Sequence, residues 1–164
     1  MTETGNKNEA SGGVLTPALI DPLYDEALSM ADEARSYFSN AGQAERLDLE
    51  PMERVLFSCE SLKVTTRLMH VISWLLVGKA VAAGEMTPEE AAAPERRLGA
   101  VEDSDDAKEP RLTLLPMQAQ SLIRRSRDLY ARVARIEGSL FAGNASAPAG
   151  GGARGLQSRL DDAF

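Results

Sequence analysis

The sequence has few of the residues that enzymes and metal proteins usually need. Its 164 residues include one cysteine, Cys59, and one histidine, His70. A single thiol excludes a disulfide within the chain and fits a reducing compartment, and metal binding or acid-base catalysis requires several converging ligands. We predict no enzymatic activity, no metal and no cofactor. We expect Cys59 to be a buried apolar filler and His70 to be a partly buried, hydrogen-bonded residue or an interface residue.

Long apolar runs and phosphate-binding motifs are also missing. The most apolar run, 71–77, is far shorter than the roughly 20 residues that cross a bilayer. The glycine run at 150–152 follows no strand and precedes no Lys-Ser or Lys-Thr pair, so it does not fit a P-loop. The first residues contain no basic region followed by an apolar core, so we expect no secretory signal. Together these absences predict a cytoplasmic protein that does not insert into membranes.

Apolar residues at steps of three and four predict an all-α fold with three long helices. We expect the first helix to open at Asp21, with Pro22 at its first position, and to end near Asn40 to Gly42 in a left-handed cap. The second is expected from Pro51 to Gly84 and the third from near Pro116. The segment from Thr87 to Glu90 has the sequence of a capping box, which predicts a short extra helical turn.

These elements predict one folded domain with flexible ends. We expect a flexible N-terminal segment at 1–15 and an antiparallel three-helix bundle at 16–142. Within the bundle, the acidic stretch at 99–111 has little to bury and is predicted to be a mobile loop. A disordered tail is expected at 143–164, because glycine and alanine dominate its first part.

The second helix has more apolar residues than one neighbouring helix can cover. One stripe keeps steps of three and four along the whole helix and is expected to face the core: Met52, Val55, Cys59, Leu62, Thr66, Met69, Ser73, Leu76, Ala80 and Ala83. A second set begins halfway along the helix. We predict that it forms a self-association or partner surface, with an oversized intramolecular core as the open alternative: Leu68, Trp74, Leu75, Val77 and Val81.

Arginines are concentrated on the third helix, although the formal net charge of the chain is −7. The candidates for a charged docking face are Arg124, Arg125, Arg132 and Arg135. Pairing with acidic residues of the first helix across the bundle is the favoured alternative. Direct DNA binding is a weaker hypothesis, because duplex binders normally present a net basic field.

The last residues form a second candidate interaction element. Leu156, Leu160 and Phe164 are spaced by four residues, which would place them on one side of a short helix. Such a segment is shorter than the about 12 to 15 residues at which isolated helices become marginal in water, so it would need a groove. We predict a tethered recognition peptide. A frayed terminus without function is the equally weighted alternative.

Several segments resemble a known family over essentially the whole chain. They are PLYDEALSMADEARSYF, the long SCESLKVTTRLMHVISWLL segment, MTPEEA, and the arginine-rich helix that begins with RLTLLP. In order and content they resemble the alphaproteobacterial regulator of CtrA degradation. That resemblance implies a compact, dimeric three-helix bundle without catalysis.

The resemblance also implies a function and partners. In that family the protein is an adaptor that helps the ClpXP protease degrade cell-cycle regulators, including CtrA-type transcription factors. A small response regulator primes the protease, the adaptor joins it, and cargo or a cyclic-di-GMP-binding effector then docks on the adaptor. Partners of this kind would also account for recruitment to a cell pole. The alternatives are a structural dimer or scaffold not coupled to proteolysis, and a DNA-binding regulator that uses the third helix.

Overall fold

The structure, a computed structural model, describes residues 15–101 and 109–146. Within these ranges the elements are α-helices and one 3-10 helix, and no strand is present. The helices are α1 (Pro17–Ser39), α2 (Ala41–Leu47), α3 (Pro51–Ala82), α4 (Pro88–Ala91), α5 (Glu109–Leu112) and α6 (Met117–Ser146), with the 3-10 helix at Pro94–Arg96. The prediction of an all-α fold with three long helices is confirmed by α1, α3 and α6.

α1 packs against α3 and runs in the opposite direction. Ile20, near the start of α1, lies beside Gly78, near the end of α3, where an added Cβ would be 3.2 Å from Ile20 Cδ1. At the other end of the pair, the rings of Tyr37 and Phe57 meet edge-on with their centroids 6.4 Å apart. Because Gly78 has no side chain, the two helices can approach closely at this point.

α6 is also antiparallel to α1. Arg125 of α6 forms an ion pair with Glu33 at 2.6 Å, and Arg132, two turns later, pairs with the earlier Glu26. Since α1 is antiparallel to both of the other long helices, α3 and α6 run in the same direction. The chain from the end of α3 to the start of α6 must therefore return along the bundle, and α4, the 3-10 helix and α5 lie in this connection.

The expected ends of α3 and the expected extra turn are confirmed. Pro51 is the first residue of α3, and Glu50 and Glu53 form a capping box around it. Gly84 follows the helix with φ of +74°, a left-handed conformation that glycine adopts without strain. At α4, Thr87 Oγ1 accepts from the amide of Glu90 at 3.2 Å.

The expected start of α1 is wrong by about a turn. The amides of Leu19 and Ile20 donate to the carbonyl of Thr16, so the helix begins at Pro17 and Pro22 lies inside it. Proline in that place removes one helical hydrogen bond. Ile20, in the preceding turn, is completely buried in the core, and this burial stabilises the beginning of the helix. Asp21 instead binds Lys79 of α3, with 2.7 Å between Oδ1 and Nζ.

The short helix α2 was not predicted, and Gly42 is not a left-handed cap. Gly42 lies inside α2, and Gly84 is the one described glycine with positive φ. An added Cβ at Gly42 would be 2.9 Å from the carbonyl oxygen of Tyr37 and 3.3 Å from the ring of Phe57. This glycine is therefore explained by close packing, which no local pattern in the sequence reveals.

The chain divides into two compact units, Leu15–Arg135 and a second unit whose described part is Ile136–Ser146. The core of Leu15–Arg135 contains one apolar stripe from α1 and one from α6, and their buried residues are Ile20, Leu23, Ala27, Met30, Ala34 and Tyr37 of α1 and Ala119, Leu122, Leu129 and Val133 of α6. The domain boundaries proposed from the sequence stay predictions. Residues 1–14, 102–108 and 147–164, on which several of those boundaries depend, lie outside the described residues.

Candidate protein-interaction surfaces

α3 turns one face towards the core of Leu15–Arg135 and the other towards solvent. The buried positions recur at the spacing of one helix side, and they are Phe57, Glu60, Val64, Arg67, Leu68, Val71, Trp74, Leu75 and Gly78. We call them the inner face of α3. The opposite side of the helix is exposed among the described residues.

Three residues of the predicted partner surface lie on the inner face. Leu68, Trp74 and Leu75 are at most 7% exposed, while Val77 and Val81 are half-buried. The prediction of an exposed surface formed by these five residues is therefore corrected. Leu68, Trp74 and Leu75 contribute to the intramolecular core, which was the alternative left open by the sequence.

The stripe expected to face the core lies on the outer side instead. Its large side chains are between 46% and 78% exposed, and they are Met52, Val55, Leu62, Met69 and Leu76. Cys59 is exposed as well, so the prediction of a buried filler is wrong. Single exposed apolar residues are ordinary, but a continuous row along a long helix is typical of an interaction site.

Two charged residues explain why the sequence indicated the wrong face. Glu60 and Arg67 are each 1% exposed and lie on the inner face. Glu60 Oε1 is 3.1 Å from Lys63 Nζ, and its Oε2 is 3.7 Å from a guanidinium nitrogen of Arg127. Arg67 Nη1 lies 3.4 Å from Ser126 Oγ, to which it donates. Buried charges persist where such partners satisfy them, and apolar periodicity alone does not anticipate these pairs.

The arginine-rich side of α6 is engaged with α1. Arg125 donates to Glu33 at 2.6 Å, and Arg132 pairs with Glu26 and, at 3.1 Å, with Asp128. Arg124 and Arg135 are exposed. This arrangement favours the alternative of pairing across the bundle for Arg125 and Arg132. A docking role for the four arginines stays a prediction.

His70 anchors the beginning of the predicted acidic loop. Its Nδ1 lies 3.0 Å from the carbonyl oxygen of Gly99, and Tyr130 Oη donates to the same oxygen at 2.7 Å. A Cβ at Gly99 would be 2.6 Å from the His70 ring. The expectation of a partly buried, hydrogen-bonded histidine is confirmed, and Gly99, at the edge of the predicted mobile loop, is held by two helices. Residues 102–108 of that loop lie outside the described residues.

The predicted recognition peptide is not described by the structure. Leu156, Leu160 and Phe164 all lie beyond residue 146, the last one described. Their proposed role therefore depends on the sequence alone.

The sequence and the fold are both similar to those of known proteins. A family described as "Protein of unknown function (DUF1465)" matches residues 12–164, nearly the whole chain. The chain belongs to the DUF1465 family. The structure is also similar to RcdA from Caulobacter crescentus CB15, with 31% sequence identity and a TM-score of 0.64 over 79% of this chain and 96% of that one. The resemblance found in the sequence is thereby confirmed, and this DUF1465 protein is RcdA-like. No curated protein matches the sequence.

The described residues contain neither a candidate membrane span nor a candidate metal site. In these residues no helix is both long enough and apolar enough to cross a membrane. Across the same parts of the chain, no group of three or more histidine, cysteine, aspartate or glutamate residues is arranged to hold a metal ion.

Proposed function

We propose that this DUF1465 protein is a non-enzymatic adaptor that binds the primed ClpXP protease and delivers cell-cycle regulators of the CtrA type for degradation. The observation that supports this proposal is the similarity to RcdA, which extends over 96% of the RcdA chain. A rigid bundle with an exposed apolar helix face is what an adaptor needs, because it must hold surfaces for different partners in a fixed arrangement.

The proposed partners follow the order implied by the family resemblance. A response regulator primes the protease, this chain then joins the complex, and cargo or a cyclic-di-GMP-binding effector docks on it. We assign self-association to the bundle and a further contact to the tail residues Leu156, Leu160 and Phe164. A tether of about 14 residues would span roughly 20 Å, which raises the local concentration of the attached peptide around the bundle.

The arginine-rich side of α6 is proposed as a surface for acidic partners rather than for DNA. Arg125 and Arg132 already pair with Glu33 and Glu26. A partner would therefore bind a surface of mixed charge, for which electrostatics contribute mainly specificity and association rate. Phosphate contacts instead favour a clearly basic field.

The test is degradation of a candidate regulator by purified ClpXP and its priming factor. The full chain is compared with a version ending at Ala149 and with a matched full-length variant in which Leu156, Leu160 and Phe164 are changed to serine. The matched variant keeps the length of the tail and removes only its large apolar side chains. We expect the full chain to accelerate degradation and both variants to lose the acceleration.

Other outcomes distinguish the alternatives. Equal acceleration by all three proteins would overturn the role of the tail and place recruitment on the bundle. Cargo binding without acceleration by the full chain, with every known component present, would overturn the adaptor proposal in favour of a scaffold.

A further inference from the structure

A small cleft lies where the end of α1, the short helix α2 and the first part of α3 meet. Its volume is about 170 Å³. A cavity of about 150 Å³ can accommodate a benzene molecule, and pockets for drug-sized ligands begin at about 300 Å³. The cleft therefore has room for a single ring or branched side chain. The residues that line it are Phe38, Gln43, Arg46, Phe57, Ser58 and Ser61.

Two phenyl rings form the apolar part of the cleft. The rings of Phe38 and Phe57 meet edge-on with their centroids 5.7 Å apart. Phe57 is buried, whereas Phe38 is half-buried, so an edge of the pair stays open to solvent. The ring of Tyr37 packs against both and holds them in place. A third ring placed against this pair would gain the edge-on or offset contacts that aromatic groups prefer.

Close packing of α2 directs Arg46 towards the cleft. Gly42 and Arg46 are four residues apart and therefore lie on one side of α2. This side faces the rings of Phe57 and Tyr37, since a Cβ added at Gly42 would be 3.3 Å from each of them. Tyr37 Oη also donates to Glu45 at 2.6 Å, so the carboxylate next to Arg46 in the sequence already has a partner.

The guanidinium group of Arg46 is held in place by one of its nitrogens. Its Nε donates to Ser58 Oγ at 3.0 Å, and that hydroxyl donates in turn to the carbonyl oxygen of Arg54 at 2.9 Å. Among the described residues, Arg46 makes no other hydrogen bond and no ion pair. Its two terminal nitrogens are therefore free to bind a group that enters the cleft.

The charge of the cleft favours an acidic ligand. Arg46 is the one ionisable side chain in the lining, although the chain has a formal net charge of −7. The two terminal nitrogens of a guanidinium group match the two oxygens of a carboxylate. Gln43, one turn before Arg46 on α2, offers an amide donor beside it.

We propose that the cleft binds an acidic and aromatic peptide segment of a partner protein. One aromatic side chain of the partner would pack against Phe38 and Phe57, and a carboxylate from the neighbouring residue would pair with Arg46. A free phosphate or acetate ion would leave the apolar part of the cleft empty. Because Arg46 is half-buried, salt would screen the pair less than it screens an exposed one.

This inference rests on the proposed function, because it gives the adaptor a further contact for a partner. Its test measures binding and does not use the protease. Failure of the peptide to bind would leave the adaptor proposal standing, and failure of the degradation assay would leave the binding result standing.

Binding is tested by an NMR titration of the isotope-labelled full chain with a short peptide. The ends of the peptide are blocked, and one phenylalanine precedes one glutamate in it. We expect saturable shifts of the backbone amides of Gln43, Arg46 and Ser58 at millimolar peptide. Two matched peptides, with glutamine for the glutamate or alanine for the phenylalanine, should each bind about tenfold more weakly, because each lacks one of the two contacts.

Variants of the cleft give the second part of the test. Arg46→Gln should weaken binding by about tenfold through loss of the charged pair. Arg35→Gln is the matched control, because Arg35 is an exposed arginine of α1 that pairs with Asp32, and it should bind like the natural chain. Ser61→Leu keeps Arg46 and fills the cleft, so it should abolish the shifts. It keeps the test decisive if circular dichroism shows that Arg46→Gln unfolds.

Several results would overturn the proposal. They include the absence of saturable shifts in the natural chain and unchanged binding by a folded Ser61→Leu or Arg46→Gln variant. Equal shifts with acetate alone would assign the cleft to simple anions. Tighter binding of the peptide by a chain ending at Ala149 than by the full chain would assign the cleft to the chain's own tail instead of a partner.

Discussion

The two faces of α3 reverse the usual distribution of residue types. The inner face buries Glu60 and Arg67, while the outer face exposes leucine and methionine at Leu62 and Met69. Glu60 is tolerated inside because it pairs with Lys63 and lies 3.7 Å from a guanidinium nitrogen of Arg127, and Arg67 donates to Ser126. Burial of a side chain in this helix therefore depends on the hydrogen-bond and ion-pair partners that neighbouring residues offer, as well as on its hydrophobicity. This packing also accounts for the exposure of the apolar outer face, since the inner face already fills the core.

We expect the largest loss of folding stability from a change at Arg67, a charged residue on the buried face of α3. Arg67→Ala removes a fully buried side chain that donates to Ser126 Oγ, and it leaves a cavity and an unpaired hydroxyl, so we expect a loss of about 2 to 5 kcal/mol in the free energy of unfolding. Urea unfolding measures this loss. Arg35→Ala is the control, because Arg35 and its partner Asp32 are both exposed, and it should change stability by less than about 1 kcal/mol. Similar losses for both variants would contradict the assignment of Arg67 to the core.

Leu75 and Leu76 are neighbours in sequence but lie on opposite faces of α3, so their replacement by alanine should have different effects on stability. Leu75 is fully buried, and Leu76, on the outer side of α3, is 46% exposed. We expect Leu75→Ala to lower the free energy of unfolding by about 2 to 5 kcal/mol through loss of buried area and formation of a cavity. Leu76→Ala should change the stability of the monomer by no more than about 0.5 kcal/mol.

Leu76→Ala should instead weaken the dependence of the thermal midpoint on protein concentration, because association stabilises the folded state by mass action. Differential scanning calorimetry at several concentrations measures both quantities. If Leu76→Ala lowered the free energy of unfolding of the monomer as much as Leu75→Ala, the assignment of Leu75 to a buried face and Leu76 to an exposed face would be contradicted.

The smallest expected effect is a pH dependence of folding stability that comes from Tyr37. The ring of Tyr37 packs edge-on against Phe57, a residue of the inner face. Burial, with the hydrogen bond to Glu45 at 2.6 Å, raises the pKa of Tyr37 well above its ordinary value near 10. A raised pKa means that the folded state favours the neutral phenol, so its contribution is complete below about pH 10 and is lost as pH rises further. We expect stability to fall by up to about 1.4 kcal/mol per pH unit above pH 10 from this group.

Urea unfolding between about pH 8 and pH 11 tests this expectation. Tyr37→Phe should remove this part of the pH dependence, while the half-buried control Tyr24→Phe should keep it. An unchanged slope in Tyr37→Phe would show that other groups cause the loss.

The buried face can be predicted from the sequence for α1 and α6 but not for α3. α1 and α6 each carry one dominant apolar stripe, and the stripe residues are buried in both helices, as Ile20 and Tyr37 of α1 and Ala119 and Val133 of α6 illustrate. α3 is apolar on several sides, so periodicity left two candidate faces and indicated the wrong one.

The sequence by itself determined the all-α class, the three long helices, the stop at Gly84 and the turn after Thr87, because these depend on local spacing and backbone preference. The tertiary structure decided which face of α3 is buried, the continuation of α1 through Pro22 and the close packing of Gly42 against Tyr37. These features depend on residues distant in sequence, including the partners of Glu60 and Arg67 on α6. Burial is a property of the assembled helices, and a pattern within one helix cannot specify it.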